Sequence, residues 1–268
     1  MANSDANKKG FDKDSVGGTL VVAFLVCLVC AIIVSSAAVA LRPIQTANIE
    51  RDRQKNILAA AGLYDAERSV EEQFSSVETK VVDLRTGTYS SDVEAANYDH
   101  LKAAKNADLS SSFSELDTDD IAKIGRRENY ALIYLINDDQ GRLDKIILPV
   151  RGYGLWSTMQ GFIALEEDAT TVAGIGFFAH LETPGLGGEI DNPAWKAVWP
   201  GKKVYDGSEV ALDILKGSVV PGSANVDYQI DGLAGATLTT KGVDNLVKFW
   251  LGDHGFSSFL DNLKAGRT

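Results

Sequence analysis

Residues 130–150 read YALIYLINDDQGRLDKIILPV: an apolar run, a turn at Asp138-Asp139-Gln140-Gly141, and a second apolar run. β-Branched and aromatic stretches split by Asp and Gly turn chemistry specify a hairpin, so Tyr130–Ile136 and Lys145–Val150 are expected to pair. Working outward, Gly161–Leu165 and Val172–Phe178 form a second pair around Glu166-Glu167-Asp168. Asn192-Pro193 opens a short helix over 192–199 that closes at Pro200-Gly201. Val226–Ile230 reads as a short strand, and Val243, Leu246, Val247 and Trp250 then recur at helical spacing. Thr240–Leu251 is therefore an amphipathic helix capped by Thr239 or Thr240. Residues 65–128 are polar, with short apolar runs such as Val81-Val82-Asp83-Leu84, and 110–120 reads as loop or exposed helix start. The pattern is that of one α+β domain with a largely antiparallel sheet and flanking helices.

Toward the N-terminus, Val16–Leu41 carries no charge. As a helix of about 26 residues it is roughly 39 Å long, enough to cross a bilayer with tilt. Lys8, Lys9 and Lys13 ahead of it, and Ala38-Val39-Ala40 near its end, also fit a cleaved signal peptide. The length of the span, and Arg42, Arg51, Arg53 and Lys55 behind it, favour a retained membrane helix. Residues 44–63 have helical composition, with Ile44, Ile49, Ile57, Leu58 and Ala61 as a candidate buried stripe. The expected organisation is a cytoplasmic tail (1–15), a transmembrane helix (16–41), a juxtamembrane helix (42–65) and an extracytoplasmic domain (66–268). Lys/Arg counts on the two sides are similar, so this orientation rests on the short tail preceding a large domain.

Over 268 residues the net charge is −11. Phosphate-backbone binding needs clustered Lys and Arg, so a nucleic-acid partner is not expected. Cys27 and Cys30 are the only cysteines and lie in the apolar segment, which removes disulfides and thiolate metal sites from the domain. Small apolar packing is the reading favoured for that pair. His100, His180 and His254 show no metal-ligand spacing, and no P-loop, nucleophile-elbow or dinucleotide fingerprint occurs.

The chemistry concentrates in three glycine-rich loops. Asp231-Gly232-Leu233-Ala234-Gly235-Ala236-Thr237 lies between the short strand and the C-terminal helix, followed by Leu238 and Thr239. A helix N-terminus presents unpaired N–H groups and positive dipole charge, which suit a phosphate, and Thr237 supplies an alcohol for an ester. Arg151-Gly152-Tyr153-Gly154-Leu155-Trp156-Ser157 and His180-Leu181-Glu182-Thr183-Pro184-Gly185-Leu186-Gly187-Gly188 follow two of the strands. Leu155, Trp156 and Leu186 offer apolar surface for a planar ring, and Ser157 and Thr183 offer hydroxyls. Singly each loop reads as a plain turn; together they read as walls of one site.

With Arg53-Gln54-Lys55-Asn56-Ile57-Leu58, Gly152–Ser157, Glu182–Gly187 and Asp231–Thr237 in this order, the chain resembles the C subunits of the Na+-translocating NADH:quinone reductases. Ala234 stands where that family's flavin-attachment signature has Ser or Thr. The resemblance implies an FMN-binding fold with FMN esterified by a flavin transferase to Thr237. The site it implies comprises Asp231, Gly235, Ala236, Leu238, Thr239, Gly154, Leu155, Trp156, Ser157, Glu182, Thr183, Leu186 and Gly187, with no catalytic residue and no metal. It further implies electron relay from NADH toward ubiquinone within a six-subunit complex (A to F) of the bacterial inner membrane, in contact with lipid. The alternatives are the G subunit of an Rnf-type electron-transport complex, which shares the signature, and a flavin-free single-span assembly subunit.

Overall fold

The computed structural model describes residues 15–268; the expected tail, apart from its last residue, lies outside them. The helices are α1 (Val16–Ala60), α2 (Val70–Phe74), α3 (His100–Ala103), α4 (Pro193–Lys196), α5 (Thr237–Leu251) and α6 (Ser257–Lys264). The long strands are β1 (Val77–Asp83), β5 (Tyr130–Asn137), β6 (Leu143–Tyr153), β7 (Thr158–Glu166) and β8 (Val172–Ala179). Short strands complete the set: β2 (Thr88–Tyr89), β3 (Ser110–Ser112), β4 (Arg126–Glu128), β9 (Tyr205–Asp206), β10 (Glu209–Val210), β11 (Asp213–Ile214) and β12 (Gln229–Ile230).

The chain divides into two units at Glu50/Arg51. In the first, α1 runs without interruption through residue 41 and contains Pro43, which leaves the Val39 carbonyl without its usual helical donor. Its apolar side chains, Phe24, Ile33 and Val34 among them, are exposed all round. It is long and apolar enough to cross a membrane, the one such helix among the described residues.

The second unit, Arg51–Thr268, is built on an antiparallel sheet of order β2-β1-β5-β6-β7-β8. The deciding strand β5 is apolar at consecutive positions because both of its faces are covered. Ala131, Ile133 and Leu135 enter one core with Val243, Leu246 and Val247 of α5. Tyr130, Leu132, Tyr134 and Ile136 enter the other with Ile57 and Ala60 from the last turns of α1. Of the expected helix stripe, Ile57, Leu58 and Ala61 are buried, whereas Ile44 and Ile49 are exposed because the apolar packing begins only at Ile57.

The β5–β6 hairpin forms as expected. Asp138 Oδ1 accepts the Gln140 and Arg142 N–H groups, each at 2.9 Å, and Gly141 takes a positive φ of 77°. β7 and β8 pair around a turn in which Asp168 Oδ1 accepts the Thr170 and Thr171 N–H groups. α4 starts where the sequence indicates, with Asn192 Oδ1 accepting the Ala194 N–H at 2.9 Å, but it ends at Lys196, short of Trp199. Further readings change. Residues 110–120 begin with β3, which pairs with β4. Of Val226–Ile230 only the last two residues are strand, parallel to β11; the rest is a 3-10 turn in which the Tyr228 N–H bonds the Asn225 carbonyl. The unpatterned stretch before 129 supplies β1, which pairs with β5 along its whole length.

A buried ion pair joins β4 to β6. Arg151 Nη2 meets Glu128 Oε2 with both side chains almost fully buried. The Arg151 carbonyl accepts Trp250 Nε1–H of α5 at 2.7 Å. Removing one partner strands the other charge, at a cost of about 3–5 kcal/mol. Glu128→Gln is therefore expected to lower unfolding stability by that amount in denaturant titration of the full chain in detergent. A loss well under about 1 kcal/mol would mean that water already reaches Arg151.

Candidate cofactor site

α5 starts at Thr237, directly after the 231–236 turn. The cap position is Ala236, which has no side-chain oxygen to accept from the first-turn N–H groups. Those orphan donors and the positive helix end form an anion site. The threonines expected as caps are engaged elsewhere. Thr240 Oγ1 accepts the Leu233 N–H at 3.0 Å, and Thr239 Oγ1 donates to Glu182 Oε2 at 2.5 Å. The helix consequently begins three residues before the position read from sequence, and Thr237 is its first residue rather than part of the loop. Thr237 and Leu238 are exposed. Lys241 follows one turn after Thr237 on the same helix face and pairs with Asp244 at 2.7 Å.

Gly235 turns the chain into α5 with φ 74°, which an L side chain adopts only with strain. A Cβ there would lie 3.1 Å from Leu186 Cδ2, so the 182–188 loop rests against this turn. Asp231 braces the base: its Oδ1 accepts the Val219 N–H at 2.6 Å and its carbonyl accepts Trp195 Nε1–H at 2.8 Å.

The other two loops leave the sheet at the same end, one linking β6 to β7 and one following β8. Gly154 N–H bonds the Ser157 carbonyl at 2.9 Å, closing the first into a tight turn. Ser157 Oγ accepts the Leu181 N–H at 2.8 Å, and Trp156 Nε1–H donates to Thr183 Oγ1 at 3.1 Å, which joins the two loops. Between them lies Glu182, 5% exposed. Its Oε1 accepts the Leu155 and Trp156 N–H groups at 3.1 and 3.0 Å. Burial pushes this carboxyl up, but the Thr239 hydroxyl and the backbone N–H groups of Trp156, Leu155 and Ser157 outweigh it and hold it below the usual carboxylate range. Around this closed centre the apolar side chains point outward: Leu155, Leu186, Trp156 and Leu238 are exposed, the last two at 62% each, and Leu181 at 77%. Such a patch on a folded domain marks a binding surface.

Known proteins match this arrangement. Residues 154–252, from the first loop through α5, match the family described as FMN-binding domain. The chain is 54% identical over 262 residues to the C subunit of the Na+-translocating NADH-quinone reductase of Pseudomonas aeruginosa, spanning 96% of this chain and 99% of that one. It is 48% identical to the corresponding C subunit of Haemophilus ducreyi, over 95% of this chain and 97% of the relative. The chain belongs to the C-subunit family of the Na+-translocating NADH-quinone reductases. The crystal structure of Shewanella oneidensis NqrC shares the fold at 34% identity and TM-score 0.73, covering 81% of this chain and 99% of that one. The family's α+β fold, an N-terminal apolar helix and a mostly antiparallel sheet with flanking helices, is the fold read from the sequence.

The residues expected at the site gather at this end of the sheet: Gly154, Leu155, Trp156 and Ser157 from the first loop, Glu182, Thr183, Leu186 and Gly187 from the second, and Gly235 through Thr239 from the third, with Asp231 beneath. FMN fits them on two observations, an uncapped helix N-terminus that begins at an exposed hydroxyl and an exposed Leu/Trp platform beside it. Sequence reasoning passed over Gly242. A Cβ there would lie 2.5 Å from the Tyr153 carbonyl oxygen, so this glycine lets α5 touch the first loop. A glycine inside a predicted helix was the available signal. It also passed over the pairing of His180 Nε2 with Asp191 Oδ2 at 2.7 Å, which fixes the start of the second loop.

Because the Glu182 carboxyl sits lower in the folded chain than in the unfolded one, its contribution is complete above the ordinary carboxylate range and is lost as pH falls through the folded value. Glu182→Gln is accordingly expected to flatten the acid limb of the stability–pH curve, measured by denaturant unfolding from pH 7 downward. Parallel curves for the two proteins would contradict this.

Proposed function

We propose that this chain is the electron-transfer subunit of a membrane-bound, Na+-translocating NADH:ubiquinone reductase, carrying FMN bonded through its phosphate to Thr237 Oγ1. The observation that carries the reading is the start of α5: an exposed threonine at the first position of a helix with no side-chain cap. When bound, FMN accepts and donates electrons. The protein's own groups hold and orient it. The N–H groups of the first turn and the helix dipole balance phosphate charge, with Lys241 one turn away on the same face. Leu155, Trp156, Leu186 and Leu238 offer apolar contact, and Gly154 and Gly187 leave room for the Glu182 carboxylate beneath that surface. Ser157 and Thr183 accept hydrogen bonds from the opposite loop and keep their own hydroxyl hydrogens free to donate.

A platform this open encloses little of a ligand, whereas tight reversible sites bury most of theirs. An ester bond retains a cofactor that such a surface would otherwise release, and leaves it accessible to redox neighbours. Asp231 shapes the loop that a flavin transferase would read. Ala234, where the attachment signature has Ser or Thr, is exposed, so its side chain supports nothing in the fold.

The same reading places the apolar span of α1 in the bacterial inner membrane, the tail in the cytoplasm, and the domain on the periplasmic side beside the A, B, D, E and F subunits. The Rnf-type alternative is disfavoured by the full-length similarity to the C-subunit relatives. Denaturing electrophoresis of membranes from the natural host, or from a host expressing the transferase, tests attachment. The wild-type band and Thr237→Ser are expected to fluoresce as flavin. Thr237→Ala is expected to lose at least about nine-tenths of that signal, the ester having no alcohol. A fluorescent Thr237→Ala band would contradict the assignment.

A further inference from the structure

Three pieces of the chain that are distant in sequence converge on one side chain. Glu182 Oε1 accepts the N–H groups of Leu155 and Trp156, and Oε2 accepts the Thr239 hydroxyl hydrogen and shares the Leu155 N–H at 3.2 Å. The backbone N–H of Glu182 itself donates to His180 Nδ1 at 3.2 Å. The surroundings are shaped to the carboxylate. A Cβ on Gly154 would lie 2.5 Å from Oε1, and one on Gly187 would lie 2.8 Å from Oε2 and closer still to Thr239 Oγ1. Every polar contact of this side chain is internal, and none of its oxygens is left to face a ligand on the exposed side.

We propose that Glu182 is the positioning residue of the site: it ties the Leu155–Trp156 platform to the first turn of α5, and so sets where the ring-facing surface stands relative to Thr237, without itself touching the cofactor. A carboxylate is an acceptor at both oxygens, and every group presented to it is a donor. Met at this position, of similar length but without an oxygen, would leave the Leu155 and Trp156 N–H groups and the Thr239 hydroxyl without their acceptor in a buried place. Gln, by contrast, could keep its oxygen on the two amides and donate its NH2 to the Thr239 oxygen. Asp would fall one methylene short of spanning both sides. The clamp belongs to the polypeptide and is present before any cofactor is attached. Its link to function rests on the FMN reading above.

The test separates the two. In the full-length Thr237→Ala chain in detergent, which by that reading is flavin-free, hydrogen exchange of a peptide covering residues 153–157 is followed by mass spectrometry. With Glu182 present, the Leu155 and Trp156 amides are expected to be protected. Adding Glu182→Met is expected to speed their exchange at least about tenfold, with peptides from β7 and from the middle of α5 unchanged. Thr239→Val, which removes one donor and leaves the loop bonds in place, is expected to give a smaller acceleration. The effects of the two substitutions should not add, since they break one shared bond. In the flavin-bearing chain, Glu182→Met is further expected to keep the in-gel flavin band while altering the visible circular dichroism of the flavin. Unchanged exchange at 153–157 in Glu182→Met overturns the proposal, as does additivity of the two substitutions. A missing flavin band in the otherwise wild-type chain overturns the attachment reading instead and leaves the exchange result standing. Should the Met variant fail to fold, Thr239→Val alone decides: exchange equal to the parent's contradicts the clamp.

Discussion

A sheet whose central strands are apolar on both faces has to be covered twice, and the rest of the domain follows from that. β5 alternates Ala131, Ile133 and Leu135 into one core with Tyr130, Leu132, Tyr134 and Ile136 into the other. α5 and the C-terminal segment cover the first face, and the last turns of α1 contribute to the second. Once α5 lies along β6, its N-terminus comes to the end of the sheet where the β6–β7 loop and the exit from β8 emerge. The site is thus a consequence of how the sheet is covered: one helix end and two loops meet because the hydrophobic faces leave the helix little other place.

The site divides its physical tasks by depth. Beneath the surface, Glu182, Thr239 and the bonds among the loops are closed on themselves, and the buried Arg151–Glu128 pair with Trp250 fixes the strand that feeds the first loop. At the surface, Leu155, Trp156, Leu181, Leu186 and Leu238 are exposed and unsupported by one another's burial. A carrier proposed to exchange electrons with neighbours needs both: a rigid base that holds the donor and acceptor geometry, and an open face that a partner can approach. Openness weakens reversible retention, which is the physical reason for the proposed covalent link.

Strands β5 to β8, the two turns and the α4 cap were legible in sequence because each is a local device: a run of apolar residues, an Asp-containing turn, an Asn-Pro start. β1 was not, since it earns its place by pairing with β5 rather than by its own pattern. The start of α5 was misplaced for a related reason. Thr239 and Thr240 look like caps, but Glu182 and the Leu233 N–H, remote or buried partners, claim them. The loops themselves were recognisable by their glycines, and their apolar and hydroxyl residues let them be read together as walls of one site. What sequence did not disclose was which residue faces inward: Glu182 reads like a cofactor contact, yet its oxygens are consumed by the fold.

The central claim is chemical attachment at one hydroxyl, and the most direct measurement is tandem mass spectrometry of peptides from the chain purified out of its natural membranes. The account predicts that the peptide containing 231–241 carries one FMN and that fragmentation places it on Thr237. A bare Thr237 in protein that retains its native electron-transfer activity, or FMN on any other residue, would contradict it.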